Sequence, residues 1–149
     1  MNASLAPSSP WHPFDPELEF TTPVVMKFDQ ARLLHYAWAS GDYNPIHFEA
    51  TKARAMGLPG VIAHGMLILG LAHRAMEALR AQAEDFCGRP VALCDIETKF
   101  SDMTLVNCEV SVIAKVARQN TEQLSLSFYV IRDGDRSALS AQGSVTLKL

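Results

Sequence analysis

Between Ser40 and His47 the chain reads SGDYNPIH, which sets Asp42 and His47 five positions apart. An aspartate beside a histidine is an acid/base unit. The carboxylate favours and orients the imidazolium, and the two groups can hold one water between them. On a single α-helix that spacing would put the side chains about 140° apart around the axis, so they could not converge. The neighbouring residues argue for a bent loop instead. Pro45 pushes Asn44 out of the helical region, and Gly41 permits a sharp turn. An Asn before Pro can cap a short helical turn that carries His47. The same composition also describes an ordinary polar turn, with His47 as a partly buried cap. By residue type alone, the turn is the commoner reading.

A second polar pair, His64-Gly65, interrupts the most apolar stretch of the chain, VIAHGMLILGLA. The first turn of a helix leaves N–H groups unbonded and carries positive potential, and a glycine there lets a ligand reach the backbone. Such a turn suits the oxygen of a polarised carbonyl. A lone histidine at a helix start is otherwise a cap or a core residue.

These two pairs need a scaffold, and the pattern around them supplies one. Val24 to Phe28 reads as a short strand. Asp29 is then an N-cap for a helix from Gln30 to about Ala39, with Leu33, Leu34, Ala37 and Trp38 on its apolar face. A second short helix is expected from Glu49 to Met56, with Gly57 just past its end. A long helix runs from His64 or Gly65 to Ala81, leaving Glu84 and Asp85 in the following loop. Its first half is apolar on nearly all sides and demands cover all round. Four strands follow: Val91 to Phe100, Glu109 to Arg118, Leu124 to Arg132 and Ala138 to Leu149, with Asp133-Gly134-Asp135 as a hairpin signal. An α+β fold satisfies this order, with one curved antiparallel β-sheet wrapped around a long central α-helix.

The chain has 149 residues, enough for one domain, and its 48% hydrophobic and 19% charged content is that of a globular protein. Residues 1–22 hold Pro7, Pro10, Pro13 and Pro16 and read as an extended Pro-rich arm, with residues 23–149 as the single domain. The net charge is −3 and the 13 Lys and Arg never cluster, so nucleic acid and anionic membrane surfaces are not expected partners. No apolar run is long enough for a membrane span, and the first ten residues show no secretory pattern. Cys87, Cys94 and Cys108 are an odd number at spacings that match no metal or redox motif. They are expected to be reduced thiols in a cytoplasmic protein, with no metal.

The stretch YAWASGDYNPIHFEATKARAMG followed by VIAHGML resembles the hydratase-2 motif of the MaoC-like (R)-specific enoyl-thioester hydratases and dehydratases. Tyr36, Ser40, Gly41, Asp42, Asn44, Pro45, Ile46, His47 and Ala53 fit the first part, and Ala63 to Met66 the second. The resemblance implies a hot-dog fold that pairs, as a homodimer or with another hot-dog subunit, so that two sheets join into one. It implies reversible hydration of a trans-2-enoyl thioester to the (3R)-3-hydroxyacyl thioester, a hydro-lyase reaction. The substrate would be carried on coenzyme A or acyl carrier protein, with no other cofactor. By the same resemblance Asp42 and His47 are the catalytic pair, and the Gly65 N–H binds the thioester oxygen. Asn44, Ser40, His64, Met66 and Leu67 are substrate-side candidates, Met66 and Leu67 as tunnel lining. Arg74 and Arg80 are secondary candidates for a coenzyme A phosphate. Two other readings compete: a hot-dog acyl thioesterase, and an acyl-binding subunit of a heterodimeric dehydratase. The segment Lys99 to Val110 departs from the family pattern. Met103 and Thr104 stand where Pro-Val is expected, and Asn107 and Cys108 where Gly-Asp is.

Overall fold

The alternation along Leu124, Leu126, Phe128 and Val130 decides which side of the sheet is inside. All four are fully buried, while the intervening Ser125, Ser127 and Tyr129 are half-exposed. In the computed structural model, which describes the backbone of residues 19–149 and side chains from Val25 onward, these residues lie on β4 (Gln123–Arg132). The other strands are β1 (Glu19–Lys27), β2 (Ala92–Phe100), β3 (Glu109–Gln119) and β5 (Asp135–Lys148). They form one antiparallel sheet in the order β1-β3-β4-β5-β2. The β4–β5 connection has both Asp133 (φ 49°) and Gly134 (φ 74°) in the left-handed region, the geometry of the tight hairpin turn that Asp-Gly favours.

Three helices precede β2: α1 (Gln30–Ser40), α2 (Ala50–Ala55) and α3 (Gly65–Cys87), with a 3₁₀ turn at Pro45–His47. Asp29 caps α1 by accepting from the Arg32 N–H at 2.8 Å, worth about 1 kcal/mol. Gly57, at φ 82°, ends α2 with Leu58 N–H on Ala53 O and Gly57 N–H on Arg54 O. Helix α3 lies on the concave side of the sheet. Ile68, Leu71, Ala72, Ala75, Met76, Leu79 and Ala83 form its buried stripe, and the alanines allow helix and sheet to approach closely.

The expected bounds of two elements change here. Strand β1 begins at Glu19, not Val24, so the strand takes in residues 19–22 of the expected arm; residues 1–18 lie outside the described residues. Pro23 does not stop the strand because β1 is an edge strand and its register shifts between Thr21 and Val25. Helix α3 continues to Cys87, so Glu84 and Asp85 are helical. Arg80 ties Glu77 and Glu84 at 2.8 and 2.6 Å, and only Gly88, left-handed at φ 63°, ends the helix. Within the single chain α3 is covered on its sheet side, while Met66 is 60% exposed and Leu67 and Leu69 are half-buried.

Candidate active site

The loop after α1 is held by a chain of local bonds at alternate residues. Gly41, left-handed at φ 76°, closes the helix with its N–H on Ala37 O. Ser40 Oγ donates to Tyr36 O at 2.7 Å and accepts the Asp42 N–H at 3.2 Å. Asp42 Oδ1 accepts the Asn44 N–H at 3.2 Å, and Asn44 Oδ1 accepts the Ile46 N–H at 3.3 Å. Asn44 is extended (φ −62°, ψ 121°), as a residue before proline should be, and Pro45 opens the 3₁₀ turn that delivers His47. Ser40 and Asn44 therefore shape the loop through these bonds.

His47 is aimed by the backbone. Its Nδ1 lies 2.8 Å from Ile62 O, and a carbonyl can only accept, so Nδ1 carries the hydrogen and Nε2 of the neutral ring keeps its lone pair. That Nε2 is 3.8 Å from Asp42 Oδ2. The distance is too long for a direct hydrogen bond and suits a water bonded to both. The two groups differ in exposure: the His47 side chain is 9% exposed and the Asp42 side chain 50%.

His64 lies beneath this pair, 2% exposed. Its ring stacks on His47 with centroids 3.8 Å apart, and the Tyr36 ring meets its edge side at 4.8 Å. His64 Nε2 is 3.3 Å from Asp42 O, while Nδ1 is buried without a partner. Burial, and then the neighbouring His47, push the His64 pKa down; its bond to the Asp42 carbonyl and the Asp42 charge oppose this less strongly. His64 is thus a neutral ring that supports Asp42 and His47. The ligand atoms of Asp42, His47 and His64 lie within 4.8 Å of one another, the one group among the described residues that could hold a metal ion.

Gly65 is the first residue of α3, where N–H groups have no acceptor within the helix, and His64 makes no side-chain capping bond. Two clefts meet at this point. One, of 390 Å³, is lined by His47, Ile62, Ala63, Ile68 and the segment Phe100–Thr104; the other, of 460 Å³, by Tyr36, Ser40, Asp42, His64 and Met66. Gly65 and Phe100 line both. Leu67 lines neither and packs against the core.

The segment that departs from the expected pattern borders the site. Residues 104–106 run antiparallel to 61–63, with Ala63 N–H on Thr104 O, Val106 N–H on Val61 O and a bridge between Ile62 and Leu105. Arg132 clasps its start, bonding Asp102 Oδ2 at 2.8 Å and the Met103 carbonyl. This holds the Asp102 carboxyl below its ordinary range, first through the Arg132 hydrogen bond. Thr104 Oγ1 donates to Ser140 Oγ at 2.6 Å, a buried hydroxyl pair behind the cleft wall. Asn107 takes φ 70°, a conformation that explains why a glycine-like residue is wanted there. Burial and nearby Asp133 push the Cys108 thiol up.

Sequence reasoning missed Phe100, Ile62 and Ile68 as site residues. Phe100 ends a strand and Ile68 sits on a helix, with nothing in their types to mark them. Ile62 contributes a backbone carbonyl, which leaves no signal in residue type.

A curved antiparallel sheet around one long helix, with an Asp/His pair beside that helix's first turn, is the architecture of a hot-dog domain with a polar reaction centre. The chain belongs to the family of MaoC-like domains, whose model matches residues 12–130. It is 32% identical over 111 residues to the fatty acid synthase subunit beta of Aspergillus oryzae, covering 74% of this chain and 5% of that protein. It is 44% identical over 43 residues to the 3-hydroxyacyl-thioester dehydratase X of Mycobacterium tuberculosis, covering 29% of this chain and 15% of that one. The chain thus spans a small part of the curated relatives it matches. Among solved structures, the (R)-hydratase from A. caviae involved in PHA biosynthesis superposes with a TM-score of 0.72 at 23% identity, covering 97% of this chain and 99% of that one.

Proposed function

We propose that this domain interconverts trans-2-enoyl thioesters and (3R)-3-hydroxyacyl thioesters by adding or removing water. The observation that carries this reading is the 3.8 Å gap between Asp42 Oδ2 and His47 Nε2, the nitrogen that holds the lone pair of the neutral ring when Nδ1–H is bonded to Ile62 O. A water in that gap gives its proton to Nε2 while its oxygen attacks C3. The C2–C3 π electrons move towards the thioester carbonyl, whose developing negative charge is met by the Gly65 N–H and the positive end of α3. The proton then passes from His47 to C2 on the same face, so one water is added overall. Asp42 orients the water and stabilises the transient imidazolium. The reverse sequence is dehydration.

The chemistry needs no group beyond these residues and the thioester handle, coenzyme A or acyl carrier protein. Arg80 is already engaged by Glu77, Glu84 and Val91 O, which leaves it poorly placed for a coenzyme A phosphate. A thioesterase reading is weaker: the first carboxylate on α3 is Glu77, and it is bonded to Arg80. Pairing with a second hot-dog subunit, identical or not, is supported by the edge position of β2 and by the exposed Met66. No helix among the described residues is long and apolar enough to cross a membrane. The free thiols of Cys87, Cys94 and Cys108 support a cytoplasmic setting.

The test follows loss of the conjugated enoyl absorbance with crotonyl-CoA. Asp42→Asn and His47→Ala are each expected to lower kcat by about 10²–10⁴-fold with folding intact. Wild-type rates in both would refute the assignment, and thiol release without an enoyl intermediate would favour the thioesterase. An inactive chain that gains activity only with a second subunit would mark it as half of a heterodimer.

A further inference from the structure

We propose that Phe100 is a specificity-determining residue that closes this site to enoyl thioesters branched at C2. The inference rests on the hydratase reading above and adds the class of acyl group. A Cβ placed on Gly65 would lie 3.2–3.4 Å from Cζ, Cε1 and Cε2 of the Phe100 ring. The ring therefore bounds the space beside the first turn of α3, and a methyl-sized group there would make it give by a few tenths of an ångström. Phe100 and Gly65 are also the two residues common to the cleft at His47 and the cleft at Asp42, so a substrate that uses both groups must pass the ring edge.

The position of C2 follows from bonding. C2 is one bond from the carbonyl carbon, whose oxygen is held at Gly65, and one bond from C3, which faces the Asp42–His47 water. It lies between those two points, with the Phe100 ring bounding the Gly65 side. An unbranched acyl group presents only a flat CH there. A C2 methyl directed to that side meets the ring edge, and the ring must turn aside to admit it. Core burial does not explain the ring's position, because Phe100 is 47% exposed. Its backbone is fixed, paired with Ala141 at the end of β2 and followed by the Ser101 N–H on Ser140 O.

The experiment compares kcat/KM for crotonyl-CoA and 2-methylcrotonyl-CoA in the wild type, Phe100→Leu and Phe100→Ala. The methyl also slows uncatalysed addition, and comparing variants cancels that effect. The wild-type preference for crotonyl-CoA is expected to narrow about tenfold or more in Phe100→Ala, with Phe100→Leu between. Gly65→Ala, which keeps the N–H but pushes the ring, is expected to lose activity that Gly65→Ala/Phe100→Ala partly restores. An unchanged ratio overturns the proposal, and so does an equal loss with both substrates, which would mark a structural role only. Absence of turnover by the wild type with either substrate overturns the hydratase reading and this proposal together.

Discussion

Gly143 ties the stability of the sheet to the geometry of the site, and Gly143→Ala is expected to damage both. Gly143 sits on β5 between Phe128 of β4 and Thr98 of β2. A Cβ there would lie 1.9 Å from Glu97 O and 2.8 Å from Phe128 Cζ, whereas real Cβ atoms essentially never come within 3.0 Å. The Glu97 carbonyl must therefore retreat by about 1.1 Å, the difference between those two distances. Strand β2 is an edge strand that pairs with β5 alone among the described residues, so it yields by opening the ladder. Losing about two backbone bonds costs ~2 kcal/mol, and overpacking adds about 1–3 kcal/mol. The sum, roughly 3–5 kcal/mol, is a large part of a typical stability of about 5–15 kcal/mol. Urea unfolding reads the loss directly, and crotonyl-CoA turnover should fall with it because Phe100 lies three residues past Glu97 on the same strand. Adding Phe128→Leu should restore little, since the closest clash is with backbone. A loss below about 1 kcal/mol, or full rescue by Phe128→Leu, would refute the reasoning.

Two further outcomes follow from the site. Asn44→Ala removes the cap on the 3₁₀ turn, at a cost of about 1 kcal/mol, yet a small shift of His47 relative to Asp42 can cost about 10²-fold in kcat; equal small effects on melting and on kcat would argue that the cap does not position the pair. His64 has a pKa below its ordinary 6.5, so below pH 6.5 the unfolded chain binds a proton that the folded one resists. Its contribution is therefore full above pH 6.5 and is lost as pH falls from there towards the folded value. Melting curves at pH 7.5 and 5.5 should show a larger loss for the wild type than for His64→Gln, and equal losses would contradict it.

Much of this architecture was legible because local chemistry and tertiary structure agree. Asp29, Gly41 and Gly57 mark helix ends by mechanisms that need no tertiary context, and β4 is readable from its period of two. The misses occur where tertiary context prevails. Arg80 and the buried Ala83 carry α3 six residues past Ala81, through a stretch with weak apolar periodicity. Strand β5 starts at Asp135 rather than Ala138 because the tight turn lets Asp135 pair with Arg132 at once. At the site, Gly41, Asn44 and Pro45 made a bent loop legible on which Asp42 and His47 can converge, while their reading as a pair needed the resemblance to the family motif. The elements that give the pair its neighbours, Ile62 O and the Phe100 ring, arrive from 15 and 53 residues beyond His47 and could not be read locally.

The acceptor that fixes the His47 tautomer is the peptide carbonyl of residue 62, not a side chain. Any amino acid at that position retains this oxygen, so a substitution there does not remove the acceptor. Ile62 meanwhile also lines the cleft beside His47. One position thus joins an acceptor supplied by the backbone to a stretch of cleft wall, and on the proposed function a substitution there reshapes the wall without removing the group that sets the tautomer.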